Sequence, residues 1–146
     1  MIRIALCGAL ATLAALITGA CGHAASVTEP APPPPAKSVQ LNAPGANVDL
    51  DAALLPGYVT VVDFWAEHCG ACVVVGGMLA VGVAQQDRVL IRKIDVGDGF
   101  SAVAKAYSIG ALPHYRVYDK HKRLRYDLVG NDCLKASEIA AQLAAE

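Results

Sequence analysis

The order of hydrophobic and polar residues after residue 37 predicts a sheet built around two buried strands. The segment YVTVVDFW, residues 58–65, is apolar at successive positions and rich in β-branched and aromatic side chains. Such a run is typical of a central strand that is covered on both faces. The segment RVLIRKIDV, residues 88–96, has the same character and predicts a second buried strand. Asp63 is an exception, because it places a carboxylic acid inside the first of these strands.

Helical segments are predicted around these strands. Residues 47–57 predict a short helix or turn, and residues 73–86 are long enough for a helix, although they are apolar on every side. Apolar residues at positions i, i+3, i+4 and i+7 mark one face of a further helix: Phe100, Val103, Ala104 and Tyr107. The same spacing predicts an amphipathic helix at the end of the chain: Ala136, Ile139, Ala140 and Leu143.

Three shorter strands complete the predicted fold. Residues 38–41 are a candidate first strand, and residues 114–119 and 123–129 alternate around a polar turn, as in a hairpin. The resulting order, βαβαβαββα, predicts an α/β protein with a mixed central sheet and helices on both faces. We therefore expect one folded domain over residues 38–146.

The first 37 residues predict export and a tether. Residues 4–20 are apolar or small throughout and follow a single charge at Arg3, which is typical of a signal peptide over residues 1–20. The segment ITGAC is similar to a bacterial lipobox, so we expect lipidation of Cys21 and a membrane-tethered lipoprotein of the bacterial periplasm or cell envelope. Cleavage after Ala24 is the alternative. Residues 21–37 contain a run of prolines that predicts an extended linker.

The net charge and the cysteines of the chain limit the functions that the sequence indicates. Twelve Lys and Arg against thirteen Asp and Glu give a nearly neutral chain, which gives no indication of a nucleic-acid partner. Of the five cysteines, Cys69, Cys72 and Cys133 belong to the predicted domain. An oxidising compartment makes unpaired thiols unusual, so these residues indicate redox or metal chemistry, with a buried inert thiol as the simplest interpretation of Cys133.

Cys69 and Cys72 form a Cys-x-x-Cys pair where a helix is predicted to begin after a buried strand. Both sulfurs would lie on the first turn, close enough to form a disulfide. The unpaired amides of a helix N-terminus favour thiolate, so Cys69 is the expected nucleophile. Cys72, one turn deeper, would resolve the mixed disulfide. A zinc site would need two further ligands, and no second closely spaced pair supplies them.

The residues around this pair resemble the thioredoxin superfamily. The family signature of a strand followed by Asp-Phe-Trp-Ala-x-x-Cys-Gly-x-Cys matches residues 63–72, and a second signature, a proline after an apolar pair near a hairpin strand, matches YSIGALPHY, residues 107–115. Gly130, after the last strand, also fits. The resemblance covers residues 38–146, and residues 45–66 look like the exported, membrane-tethered TlpA-type branch.

This resemblance implies a thioredoxin fold and a thiol–disulfide oxidoreductase that acts on protein disulfides in the cell envelope, as a reductase. It implies a cis Leu112–Pro113 bond, a proton-relay role for a buried Asp63, and no cofactor beyond the cysteine pair. Partners would be protein thiols or disulfides and a membrane or periplasmic electron donor. The substrate-contacting residues implied by the family are Trp65, His68, Gly70, Ala71, Leu112, Pro113 and His114.

Departures from the family pattern leave other interpretations open. His68 replaces the usual Trp before the first cysteine, and His114 replaces the usual Thr after the proline, which would place two titratable groups near the sulfurs. A copper chaperone that binds the metal through the cysteine pair and a histidine is therefore an alternative. A second is a redox-quiet tethered module that binds a partner through the apolar helix. Asp63 as a purely structural acid and Trp65 as an ordinary core residue are the simpler alternatives for those two positions.

Overall fold

The computed structural model describes residues 31–146, and within them the chain forms a five-stranded sheet with helices on both faces. The elements are β1 (Ser38–Gln40), α1 (Leu50–Ala53), β2 (Val59–Trp65), α2 (Gly70–Val83), β3 (Val89–Asp95), α3 (Ala102–Ala106), β4 (His114–Tyr118), β5 (Leu124–Val129) and α4 (Ala136–Ala145). A 3-10 helix, Gly130–Lys135, leads into α4. This order of strands and α-helices confirms the predicted βαβαβαββα arrangement and the mixed sheet.

The strands lie in the order β1-β3-β2-β4-β5. β1, β3 and β2 are parallel, whereas β4 is antiparallel to both β2 and β5. The two strands predicted to be most buried, β2 and β3, therefore lie next to each other at the centre. Their β-branched residues are covered on both faces, which is why neither strand shows alternation of apolar and polar residues.

Each face of the sheet has its own hydrophobic core. Side chains alternate along β2, so that Val61 belongs to the core under α2 and α4, while Val62 and Phe64 belong to the core under α1 and α3. From α4, the residues Ala136, Ala140 and Leu143 are buried, as their helical spacing predicts. The two cores fix the positions of α2 and α3 against the sheet, and the candidate site lies at the N-terminal end of α2, beside the loop that precedes α3.

Helix α2 begins at Gly70, ahead of the apolar run that starts at residue 73, and this start confirms the prediction that both cysteines lie at its first turn. Cys69 caps the helix: its sulfur accepts a hydrogen bond from the Cys72 backbone N–H at 3.2 Å. The helix ends at Val83, before the predicted residue 86. Its surface remains apolar where it meets solvent, with four large side chains more than half exposed: Val73, Val74, Met78 and Val81.

Helix α3 corrects one predicted position. Ser101 caps the helix with its hydroxyl, which accepts from the Ala104 N–H at 3.2 Å, so the helix begins at Ala102. Phe100 precedes this cap and is 80% exposed, so its assignment to the buried helix face was wrong. Val103 and Ala104 are buried as predicted.

The compact unit runs from Pro34 to Glu146 and so includes the last residues of the predicted linker. The Arg92 guanidinium, which is buried, donates to the Ala36 carbonyl at 3.2 Å, and the Lys37 ammonium donates to the Val89 carbonyl at 3.0 Å. The predicted signal peptide, the candidate lipidation site Cys21 and the first part of the linker lie outside the described residues. Among the helices of residues 31–146, none is long and apolar enough to cross a membrane.

The contact between α2 and α4 yields a testable prediction. A Cβ added at Gly82 would lie 2.6 Å from the Ser137 Cβ, so Gly82→Ala should force the two helices apart and destabilise the domain by about 1–3 kcal/mol. At Gly77, on the same helix, no neighbour lies within 4 Å of the added Cβ, and Gly77→Ala should instead add about 0.5–1 kcal/mol of helix stability. Urea unfolding of both variants checks the prediction, and equal effects on stability would contradict it.

Candidate active site

The two cysteines predicted to form a redox pair are joined by a disulfide. Cys69 and Cys72 are bonded, with Cα atoms 5.2 Å apart, and they lie at the N-terminal end of α2. Strand β2 ends at Trp65, shortly before the first cysteine, and its buried residues fix the position of the turn that precedes α2. The site therefore combines a rigid strand end with the free amides of a helix N-terminus.

The two sulfurs differ in accessibility. Cys69 is half-buried, whereas Cys72 is only 3% exposed and is covered by the helix. The Cys69 sulfur also accepts the Cys72 N–H bond, an interaction that stabilises a negative charge on that sulfur once the disulfide is reduced. His68 precedes the pair, and Gly70 and Ala71 lie between the two cysteines. All three residues are exposed, so an incoming molecule would meet them first.

Asp63 is buried beneath the pair, as the sequence predicted. It is 1% exposed, and burial raises its pKa from 3.8 to about 6, against the opposing effect of the Lys93 ammonium. The helix face that carries Cys72 also carries Gly76, one turn later. A Cβ at Gly76 would lie 3.5 Å from the Asp63 Oδ2, so the carboxyl group faces α2 directly below Cys72.

Lys93 is a site residue that the sequence analysis missed. Its ammonium lies 3.9 Å from the Asp63 Oδ2 and 4.4 Å from the centre of the Trp65 ring. The half-buried Trp65 is held in turn by a hydrogen bond from its Nε1 to the Gln40 Oε1 at 3.0 Å. A lysine inside a strand predicted to be buried was the available signal, because Lys93 pairs in register with Asp63 once β2 and β3 are aligned.

A groove of about 460 Å³ opens beside Cys69. One wall is formed by His68 and Cys69, and the opposite wall by the loop before α3 and by the segment that enters β4. The lining residues from those two segments are Val96, Asp98, Gly99, Phe100, Ile109, Gly110, Ala111 and Leu112. The groove thus gives an extended chain access to one sulfur of the pair, and the wall opposite this sulfur carries apolar side chains.

The Leu112–Pro113 bond is cis, which confirms the expectation drawn from the family resemblance. Leu112 lines the groove, whereas Pro113 is buried. The Pro113 carbonyl accepts a hydrogen bond from the Gly130 N–H at 2.8 Å, and Gly130 has a φ of 61°, which glycine adopts without steric cost. Gly130 therefore fixes the segment that carries Leu112.

His114 does not lie at the surface of the site. Its ring is 6% exposed, packs edge-on against Phe64 and contacts the Asp127 carboxylate. It faces the core under α1 and α3 because it lies opposite Phe64 on neighbouring strands. The sequence analysis expected His114 to place a titratable group beside the sulfurs, but the His114 ring lies in the core instead. Of the two histidines, His68 lines the groove and His114 does not.

Cys133 is a free thiol and is buried, at 2% exposure. It lies in the 3-10 helix, and its sulfur donates to the carbonyls of Leu128 at 3.3 Å and Pro113 at 3.5 Å. Burial raises the pKa of this thiol to about 11. These features agree with the simplest interpretation of the residue, a structural thiol. Across residues 31–146, no group of three or more His, Cys, Asp or Glu side chains is placed to hold a metal ion.

The fold and the disulfide define the class of protein as a thioredoxin-like redox protein, and comparisons with known proteins identify the family. The thioredoxin family model matches residues 46–145. The thioredoxin of Mycoplasma pneumoniae is 35% identical over 60 residues, which cover 41% of this chain and 58% of that protein. An H-type thioredoxin of Chlamydomonas reinhardtii is 35% identical over 86 residues, which cover 58% of this chain and 74% of that protein.

Solved structures agree on the fold. The reduced thioredoxin pre-protein of Schistosoma mansoni superposes with a TM-score of 0.59 at 24% identity, covering 74% of this chain and 99% of that one. The thioredoxin of Malassezia sympodialis gives a TM-score of 0.54 at 27% identity, covering 65% and 85%. The chain belongs to the thioredoxin family, whose members are thiol–disulfide oxidoreductases that use their own cysteine pair and need no cofactor.

The buried Asp63 yields a prediction about stability and pH. Because its pKa in the folded protein, about 6, lies above 3.8, its favourable contribution is complete below pH 3.8 and is lost as the pH rises through about 6. Replacing it with a neutral isostere removes this loss. We expect the stability advantage of Asp63→Asn over the unmodified oxidised protein to grow by up to about 3 kcal/mol from about pH 4 to pH 8.

Urea unfolding at several pH values measures this difference. Asp87→Asn is the matched control, because Asp87 is exposed and the same change of charge there should leave the pH dependence almost unaltered. A pH profile of Asp63→Asn that is parallel to that of the unmodified protein would show that the carboxyl titrates normally.

Proposed function

We propose that this protein reduces disulfides in other proteins of the bacterial cell envelope by exchanging them with the Cys69 and Cys72 thiols. The observation that carries the proposal is the placement of this pair: one sulfur lies beside an open groove, and the other is buried behind it at the start of α2. Such a pair reacts in two ordered steps, since only the accessible sulfur meets the substrate.

In the first step the Cys69 thiolate attacks the substrate. Its negative charge is stabilised by the Cys72 N–H and by the positive end of the α2 dipole. A bond forms between the Cys69 sulfur and one substrate sulfur, the substrate disulfide breaks, and the other substrate sulfur leaves as a thiolate. The product is a mixed disulfide held in the groove.

In the second step Cys72 completes the transfer. Asp63, one helical turn below, accepts the Cys72 proton, and the resulting thiolate attacks the Cys69 sulfur. The Cys69–Cys72 bond forms, the mixed disulfide breaks, and the second substrate sulfur leaves. Two electrons pass from the cysteine pair to the substrate, which takes up two protons. A raised pKa near neutrality suits Asp63 for this transfer.

The groove supports a protein substrate. An extended chain can lie between His68 and Leu112, where the Leu112 backbone is available for hydrogen bonds and Phe100 offers an exposed aromatic surface. Trp65, Gly70 and Ala71 would complete the contact surface around the sulfurs, as the family resemblance implies. His114 would act indirectly, by fixing β4 under Pro113, since its side chain is buried.

The reducing direction is supported by the Gly70–Ala71 dipeptide between the cysteines, which is similar to that of reductases. A membrane or periplasmic donor would return the pair to the dithiol state. The potential of the pair against that of its compartment decides the direction, and about 30 mV corresponds to a tenfold change in the equilibrium constant. Equilibration with glutathione buffers measures this potential, and a value well above that of the compartment would favour an oxidase.

Cysteine variants test the mechanism. Cys69→Ser should abolish catalysis of insulin reduction by dithiothreitol, because it removes the attacking thiolate, whereas Cys72→Ser should accumulate mixed disulfides that persist on non-reducing gels. Cys133→Ala is the control and should retain turnover, because Cys133 is buried and does not line the groove. Full activity in Cys69→Ser would refute the proposal. Inactivity of the unmodified protein combined with stoichiometric copper binding would favour the copper chaperone.

We further propose that the domain is tethered to a membrane through a lipid on Cys21, as in the TlpA-type branch that the sequence resembles. The signal-peptide pattern of residues 1–20, the lipobox-like ITGAC and the proline-rich linker support this location. Cys21→Ala should release the protein from the membrane fraction of an expressing bacterium and abolish labelling by palmitate. Cys7→Ala is the matched control and should leave both unchanged. Soluble, unlabelled protein with Cys21 intact would instead indicate ordinary cleavage, for example after Ala24.

A further inference from the structure

Two buried polar atoms near the cysteine pair have no hydrogen-bond partner among residues 31–146: the Asp63 Oδ1 and the Tyr115 hydroxyl. Tyr115 is fully buried, at 0% exposure, and Asp63 is 1% exposed. An unpartnered buried hydroxyl or carboxyl oxygen costs about 1–3 kcal/mol, so such groups are paired with protein or water in nearly all folded proteins. Each of the two atoms therefore needs a hydrogen-bond partner.

The sheet places these two side chains side by side. Asp63 on β2 and Tyr115 on β4 are directly opposite each other in the antiparallel register, so both project from the same face of the sheet towards α2. The charge of Asp63 adds to burial in raising the pKa of the Tyr115 hydroxyl, which agrees with the closeness of the two groups. No direct hydrogen bond joins them.

Gly76 leaves space between them. A Cβ at this position would lie 3.5 Å from the Asp63 Oδ2 and 3.9 Å from the Tyr115 hydroxyl. A glycine in a helix interior lowers the stability of the helix by about 1 kcal/mol relative to alanine. At position 76 its missing side chain leaves room beside the two buried polar groups. A space with polar groups on two sides is suited to a buried water, which makes about three hydrogen bonds in such places.

We propose that Tyr115 is a positioning residue for the Asp63 proton relay, and that its hydroxyl donates a hydrogen bond to the Asp63 carboxylate through one water molecule beside Gly76. This inference rests on the relay role given to Asp63 in the proposed function. Donation to the ionised carboxylate favours that form, so Tyr115 offsets part of the effect of burial and keeps Asp63 able to accept a proton at neutral pH.

Other groups also face Asp63. Lys93 approaches from β3 at 3.9 Å, Cys72 lies one turn above on α2, and the Cys133 thiol approaches from the 3-10 helix. Helix α4 contributes apolar side chains to this core. Lys93 is the one cation among these neighbours, and none of the variants below replaces it.

The test is a titration of the Asp63 carboxyl by carbon-13 NMR in the oxidised protein. Tyr115→Phe removes only the hydroxyl and should raise the pKa of Asp63 by about one unit, the size expected for the loss of one hydrogen bond to a charged group. Gly76→Ala fills the space of the bridging water and should shift the pKa in the same direction. Combining the two changes should give no more than the larger single shift, because both remove one interaction.

Gly77→Ala is the matched control. It makes the same substitution one residue later on α2, where no neighbour lies within 4 Å of the added Cβ, and should leave the Asp63 titration unchanged. An unchanged titration in Tyr115→Phe, or additive shifts in the double variant, would overturn the proposal. If Tyr115→Phe does not fold, the two glycine variants decide the question, since equal titrations would exclude a role for the space at Gly76.

This experiment is independent of turnover. The carboxyl titrates whether or not the protein reduces a substrate, so an inactive protein with the expected pKa shifts would contradict the proposed function and leave the Tyr115 interaction standing. In an active protein, the pH midpoint of mixed-disulfide resolution should move in Tyr115→Phe by the same amount as the pKa, whereas a merely structural role of Tyr115 would not move it.

Discussion

The position of the reactive disulfide depends on how α2 packs across the central strand β2. Leu79 and Val83 fix the helix from below, and Gly82 allows its close approach to Ser137 on α4. With the helix held there, its first turn lies at the end of β2, where Cys69 reaches the groove and Cys72 does not. The difference in accessibility between the two sulfurs thus follows from packing.

The same packing creates the buried acid. A carboxyl inside β2 would ordinarily be replaced by an apolar residue, because burying it costs free energy whenever it is ionised. Asp63 retains one cation, Lys93, at 3.9 Å, which is too distant for a hydrogen bond but lowers the cost of the charge. The result is a group whose pKa lies near 6, in the range where a proton can be both accepted and returned. The ionised Asp63 carboxylate thus lowers the stability of the folded protein, at the position where the proposed mechanism needs a group that accepts a proton.

Much of this arrangement could be predicted from the sequence. The buried strands β2 and β3, the hairpin, the final helix, the disulfide pair and the buried Asp63 all follow from local patterns and spacing. Three features could not, because they depend on register or on contacts between distant segments. Lys93 joins the site only when β2 and β3 align, His114 turns away because it shares a face with Phe64, and Phe100 is excluded from α3 by the Ser101 cap.

The composition of α2 shows which forces can act on Cys69. The helix consists of apolar residues and glycine from Gly70 to Val83, with no acidic residue in its first turn and no basic one in its last. In the proposed mechanism, the Cys69 thiolate is therefore stabilised by the backbone, through the Cys72 N–H and the helix dipole, and the exposed His68 is the neighbouring polar side chain. Backbone dipoles do not titrate, so this stabilisation does not itself change with pH. In the proposed mechanism, Asp63 adds a pH dependence of its own to the second step.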